Sequence, residues 1–321
     1  MLDKKLFALI AALSLALIVV AFGNSAGAEW QPSGPIKLMI GFKAGGGADT
    51  QARLVAEDLL ASRGWKLIPS QVTGKGGLNL LRALKKSPKD GTVIGMTVSE
   101  ALGYNMVVAK RSGVKLSDFT GLTTTAGFQM GIVAKTSKGW KTFHDVIKAA
   151  KGGQSIRFGV MSPKLADIAY LTGKANGIDF NIVSAKGGKG VMNGLNAGDI
   201  DVGFVAGIQA KAVAAGDMVN LASGLSEPLK QSPQAPLLKD FGVQYNADGY
   251  FLFVAPAGLP EAVRREISDA VAKIVMDPTT KAGGYIKKSF GEATTIRGAD
   301  LDQFLTGQVK SANALLKAAS E

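Results

Sequence analysis

The 321-residue chain has no cysteine and a single histidine, His144. It therefore cannot form a disulfide, a thiolate metal site or a cysteine nucleophile. Without a cysteine behind a leader there is also no lipid anchor, so a soluble mature protein is expected. His144 stands with Phe143, Val146 and Ile147 at the start of an apolar-periodic helix, which favours a helix-face residue over a general base. No His/Cys cluster exists for zinc. Ser162 and Lys164 lack the Ser-x-x-Lys spacing that would put both side chains on one helix face. Asp199 and Asp201 alternate along a strand edge and read as capping or solvent-facing groups. Acidic residues are scarce beside basic ones, 25 against 37, for a net charge of +12. The lysines are dispersed and no aromatic-plus-basic stacking motif accompanies them, so nucleic acid is an unsuitable partner. A small anion suits the balance better. Beyond the first 22 residues no apolar run approaches the length of a membrane span.

What is present begins with an export signal. Lys4 and Lys5 precede an apolar run over residues 6–22 broken only by Ser14. Ala26, Gly27 and Ala28 then supply small residues for cleavage. The pattern predicts a leader over residues 1–28 and a periplasmic mature chain. An uncleaved N-terminal anchor is the alternative.

Residues 37–60 organise the rest. An apolar strand (Ile36, Leu38, Met39, Ile40) runs into a glycine-rich loop, and Ala52, Val55, Ala56 and Leu59 then form one helical stripe. Asp49 reads as the N-cap of that helix. Glycines 45, 46 and 47 let the backbone approach a ligand, and free N–H groups at a helix start suit an anion. A tight strand-to-helix turn with no ligand is the other reading. The loop is neither of the two common nucleotide loops: no Lys-Ser/Thr follows the last glycine, and the spacing is not G-x-G-x-x-G.

The same rhythm continues. Strands are predicted at 65–72 and 92–97, with a Lys-containing glycine loop and a helix over 78–86 between them. A second run places strands at 131–135, 156–160, 180–184 and 200–205, with helices at 142–151 and 191–197 and one opening at Met161–Lys164. Residues 250–254 form a strand, and helices follow over 261–276, 277–290 and 299–318. Strand–helix alternation of this kind gives α/β lobes with mostly parallel sheets flanked by helices. Such sheets bind ligands beyond the carboxyl ends of their strands. Residues 72–77 and 183–188, each followed by a helix and a strand, make a weak internal repeat. The non-catalytic donors are the loop N–H groups, Ser99, Ser162, Ser184, and the lysines Lys43, Lys75, Lys164, Lys186 and Lys189. Together they suit a carboxylate.

Pro35-Ile36-x-Leu38, Phe42-x-Ala44-Gly45-Gly46-x-x-Asp49 and Ala52-Arg53 followed by Ala56-Glu57-x-Leu59 open the chain in a familiar order. Gly76-Gly77, Asp90-Gly91-Thr92, Lys186-Gly187, Gly198-Asp199-Ile200-Asp201 and Ala255-Pro256-Ala257-Gly258-Leu259-Pro260 continue it. In this the chain resembles the Bug-type solute receptors, the periplasmic substrate-binding proteins of tripartite tricarboxylate transporters. The resemblance implies a two-lobed periplasmic-binding-protein clamshell. Residues 29–127 and 250–321 would form one domain and 128–249 an inserted second. It implies a small organic acid as ligand, membrane transporter subunits as partners, no cofactor and no catalysis. A monomer is expected.

Carried over by position, the first loop gives Lys43, Ala44, Gly45, Gly46, Gly47, Ala48 and Asp49 as ligand-binding residues. Ser99 follows the third strand, and Met161, Ser162 and Lys164 follow the strand ending at Val160. Lys186, Gly187, Val205 and Ala206 complete the set. The chain departs from the family where Lys43 replaces a usual proline, where Ala185 replaces a tyrosine and where Phe204-Val205-Ala206 leads to no aspartate. The loop at 160–164 is also shorter than usual. These changes predict a more acidic or bulkier ligand. A ligand-sensing accessory to a membrane kinase would look the same in sequence. An enzyme on this fold would have to draw its base from His144 or scattered carboxylates.

Overall fold

In β1 (Ile36–Ile40) every residue but Lys37 is buried, the pattern of a strand covered on both faces. It pairs in parallel with β2 (Leu67–Gln71) and with β3 (Val93–Val98). The computed structural model describes residues 30–109 and 111–321. The predicted leader, residues 1–28, lies outside the described residues. Residues 32–321 form one compact unit.

The chain then runs through β4 (Phe119–Gly127), β5 (Gly131–Lys135), β6 (Arg157–Val160), β7 (Asn181–Ser184), β8 (Val202–Val205), β9 (Met218–Ser223) and β10 (Tyr250–Pro256). Two five-stranded sheets result, ordered β2-β1-β3-β10-β4 and β7-β6-β8-β5-β9. The orders match position for position. In each sheet one strand, β10 or β5, lies antiparallel between two neighbours, and the other four run the same way. The chain passes from one sheet to the other through residues 128–130 and returns through 224–249. The two passages are tied by Phe128 N–H to the Gly249 carbonyl at 2.9 Å and by Gly224 N–H to the Met130 carbonyl at 2.7 Å.

Two strands escaped the sequence reading. β4 carries Thr123, Thr124 and Thr125, all fully buried, in place of an apolar alternation. Their hydroxyls find acceptors: Thr125 donates to the Gln51 side chain and Thr124 to the Thr294 carbonyl. β9 buries Asn220, whose amide donates to the Ser232 hydroxyl at 2.9 Å. Buried polar groups satisfied in this way carry a strand without advertising one in the sequence.

A third difference lies after β7, where the helix begins at Gly187 rather than Val191. Glycine is a poor helix former, but tertiary packing overrides propensity. Val191 and Leu195 are buried against Val205 and Ile200. Val191 also fits against Gly203, whose place no larger residue could take: a Cβ there would lie 2.6 Å from Val191 Cγ1.

Candidate functional site

The first glycine loop closes differently from the N-cap reading. The helix Gly47–Arg63 starts behind Gly46, and Asp49 is its third residue. Its carboxylate reaches back to accept the Gly45 N–H at 2.9 Å, the arrangement of an acid at the third position of a helix. The same carboxylate accepts from Arg53 Nε at 2.9 Å and Gln71 Nε2 at 2.7 Å, and it is buried. Thr50 makes the first intrahelical bond, to the Gly46 carbonyl at 2.9 Å. The N–H groups of Gly47, Ala48 and Asp49 thus belong to the turn that has no intrahelical acceptor.

The second sheet offers a matching edge. β6 ends at Val160, and Ser162 caps the helix Pro163–Asn176 by accepting the Leu165 N–H at 3.3 Å. The helix Gly187–Ala197 starts from Lys186 behind β7. Residue Ala206 follows β8 directly. Parallel strands bring these three starts to one edge, facing the loops after β1 and β3.

Between the two edges lies a cavity of about 70 Å³. Gly46, Gly47, Ala48 and Lys43 border it from the first loop, and Lys186, Gly187, Gly188 and Lys189 from across. Its body is mostly apolar. Phe128 and Phe251 meet edge to face with ring centroids 5.0 Å apart, and Met130, Met161 and Ile208 add to the wall. A Cβ on Gly47 would lie 3.2 Å from the Phe251 ring, so the first helical turn is packed on that aromatic floor. A broader groove of about 600 Å³ adjoins the cavity, shares Gly76, Asn105, Met161 and Ser162 with it, and carries Lys75, Arg82 and Arg111.

One carboxylate borders the cavity among the described residues. Glu100 is 7% exposed, in the short helix Ser99–Leu102 after β3. Burial raises its pKa, while the Lys164 charge and hydrogen bonds with the Ser162 and Asn105 side chains pull the other way. Burial lowers the pKa of Lys164, and the charges of Glu100 and Asp248 oppose that. Ser162 and Lys164 follow β6 while Glu100 follows β3, so this cluster spans the two sheets.

Of the residues predicted from sequence, Lys43, Gly46, Gly47, Ala48, Met161, Ser162, Lys186, Gly187 and Ala206 border the cavity. Six others do not. Ala44 is exposed on the outer side of its loop. Gly45 (φ +73°) and Asp49 bond to each other. Ser99 is fully buried and accepts the Tyr250 N–H at 3.1 Å, pinning β10 beside β3. Lys164 donates from Nζ to the Asp248 carbonyl at 3.4 Å in a neighbouring groove. Val205 packs in the core of the second sheet.

The sequence reading missed Glu100, Asn105, Phe128, Met130 and Phe251. Phe251 faces this site because β10 returns antiparallel to β3 and sets Phe251 opposite Val98. No local pattern signals that pairing. Glu100 stood in plain view beside Ser99, at the carboxyl end of a predicted strand. His144 is exposed on the helix Phe143–Lys151, its ring 4.7 Å from that of Phe241 and outside the cavity lining.

Two α/β lobes of matching topology, with strand-end loops facing one cavity, define a two-lobed solute-binding protein. The chain belongs to the tripartite tricarboxylate transporter family receptors, the Bug-type receptors, which it matches over residues 47–320. It is 24% identical over 314 residues to a Cupriavidus necator protein described as "UPF0065 protein in gbd 5'region", covering 96% of this chain and 94% of that one. It is 23% identical to protein BugT of Bordetella pertussis, covering 96% and 98%. Its fold matches a Rhodopseudomonas palustris protein solved with adipate, with a TM-score of 0.78 at 19% identity over 91% of this chain and 99% of that one.

Proposed function

We propose that this protein is a periplasmic receptor that captures a small carboxylate-bearing solute between its lobes. It delivers that solute to the membrane subunits of a tripartite tricarboxylate-type transporter, and it acts by binding without chemistry. The observation that carries this reading is the cavity between two sets of strand-end loops, with the donors of a helix start on one side and Lys186 and Lys189 on the other. First-turn N–H groups fix a carboxylate by geometry and dipole, and a lysine adds charge. The cationic groove at the cavity's side, with Lys75, Arg82 and Arg111, would draw anions inward. The adipate found with a relative of the same fold is a ligand of this class.

In this reading residues 1–28 are a cleaved leader, residues 29–127 with 250–321 form one lobe, and 128–249 form the other. The lobes close because the ligand favours the closed form. Monomeric mature protein screened by thermal shift against mono-, di- and tricarboxylates should be stabilised by at least one. At a concentration of about 100 times Kd the gain is about 2.7 kcal/mol. Folded protein that responds to no organic acid would overturn the proposal. Loss of uptake of that acid on deleting the gene would separate transport from sensing.

A further inference from the structure

Two acceptors at one end of the cavity have no place in a grip on a simple acid. Asn105 is 1% exposed, and its Nδ2 donates to the Gly76 carbonyl at 2.9 Å. That bond fixes the amide's orientation, because a carbonyl can receive only the NH2 side. Oδ1 is thereby turned away from Gly76, and among the described residues no donor reaches it. A buried unpaired acceptor is costly, of the order of a lost hydrogen bond. Beside it stands Glu100, also buried and bordering the same cavity. No ion pair within 4 Å reaches its carboxylate among the described residues; the Lys164 charge acts on it from farther off, the ammonium donating to the Asp248 carbonyl.

Another part of the surroundings has the reverse character. Lys189 Nζ approaches Gly45, 3.0 Å from where a Cβ would stand, and so brings a cation beside the helix start. An aromatic wall connects the two groups. Phe251 lies against Gly47, Phe128 lies against Phe251, and the space at Gly249 is shared by Phe128 and Ser99, the neighbour of Glu100. The lining thus combines a cation beside a donor-rich helix start, an apolar wall and two buried acceptors, Glu100 and Asn105.

We infer that the ligand is a carboxylic acid with a protonated amine at its far end, the amine held by Glu100 and Asn105 across an apolar spacer. This rests on the receptor reading above. An ammonium offers three donors and one positive charge, and it answers both the unpaired Oδ1 and a carboxylate that no cation touches. A hydroxyl would satisfy Asn105 but bring no positive charge into contact with Glu100. A second carboxylate would face Glu100 as a like charge.

The test is calorimetric titration of the full mature protein at pH 7 with matched triplets of straight-chain monoacid, ω-amino acid and diacid, such as caproate, ε-aminocaproate and adipate. At the best chain length the ω-amino acid should bind about tenfold tighter than both partners, a difference of about 1.4 kcal/mol. Glu100→Gln should remove that preference, so that the ω-amino acid binds the variant no tighter than the matched monoacid does. A monoacid or diacid that equals or beats the amino acid at every length overturns the inference, as does a preference that survives in Glu100→Gln. The ranking on the unaltered protein decides the matter if the variant does not fold. Binding of diacids without amino acids would sink this inference and leave the receptor reading intact. Binding of no acid at all would sink both.

Discussion

The Gly45 N–H donates to the Asp49 carboxylate at 2.9 Å, so the acid ties down the loop that leads into its own helix. With Arg53 and Gln71 also donating to it, this one carboxylate joins the loop, the helix and the end of β2. Asp49→Ala leaves the Gly45 N–H without its acceptor and Gln71 with only the Phe42 carbonyl at 3.4 Å. A loss of about 2 kcal/mol in urea unfolding is expected, as for stranded partly buried donors. Ligand affinity should fall with it, because Gly46 and Gly47 are no longer held in place. Asp49→Asn keeps an acceptor oxygen and should recover part of both losses. Equal behaviour of the two variants would show that the loop does not depend on this acceptor.

Asp201 makes a pH-dependent tie in the second lobe. It accepts from Arg157 Nε and Nη2 at 2.9 Å each, from the Arg157 backbone N–H at 3.0 Å and from Lys138 Nζ at 2.6 Å. Burial alone would raise its pKa, but the bonds from Arg157 and Lys138 outweigh that and hold it well below the usual aspartate range. The folded state therefore binds this proton less readily than the unfolded chain. The resulting stability is fully present above the unfolded pKa of about 3.9 and is lost as pH falls below it. Asp201→Asn should cost about 2 kcal/mol at neutral pH. The gap to the unaltered protein should narrow as unfolding is measured at successively lower pH below about 4. A gap independent of pH would contradict this.

Gly76 is held open for Asn105. It has φ +62°, and a Cβ there would stand 2.5 Å from Asn105 Nδ2. Gly76→Ala must strain the backbone and push the amide aside. A loss of about 1–3 kcal/mol is expected, as for a non-glycine residue in a left-handed conformation. Ligand affinity should fall as well, and unchanged affinity would place Asn105 outside the ligand's reach.

Phe251 joins the cavity wall to the core. It meets Phe128 and Phe290 edge to face, each at 5.0 Å between centroids. Phe251→Ala should destabilise by about 3–5 kcal/mol, the usual cost of emptying a buried aromatic site. Phe251→Leu should cost less than about 1.5 kcal/mol and shift the ligand preference toward bulkier acids. Denaturation and competitive binding measure the two effects, and an unaltered preference would remove Phe251 from the ligand wall.

Across the lobes the Tyr104 hydroxyl donates to Asp167, in the helix Pro163–Asn176. Burial and the bond to Asp167 both push the tyrosine's pKa up, so it stays protonated and donating at any ordinary pH. Tyr104→Phe removes about 1 kcal/mol from the closed form. Because the pair ties the element after β3 to the one after β6, ligand affinity should fall up to about fivefold. Small-angle scattering of the unliganded variant should show a larger radius. No change in either would mean that the pair does not bear on closure.

Much of the fold is legible in the residue order. The alternation around β1, β3, β6 and β8, the helix Glu261–Met276 and the glycine turns all follow from local spacing, because apolar periodicity and turn chemistry act over a few residues. β4 and β9 are not legible, since Thr123–Thr125 and Asn220 become core residues only once distant acceptors and donors are in place. The helix at Gly187 is hidden for the same reason, its first turn being held by what Val191 packs on.

The sequence by itself determined the two rounds of strand, glycine loop and helix, the family, and the lysines and N–H groups at one end of the cavity. Only the tertiary structure decided that the Asp49 carboxylate, besides its local bond to Gly45, meets Gln71 at the end of β2. It also decided that Phe251, Glu100 and Asn105 line the cavity. The reason is one of range. A loop's backbone is set by its neighbours in the chain, whereas a cavity is set by which loops meet, and sheet order and the antiparallel return of β10 fix that across more than a hundred residues.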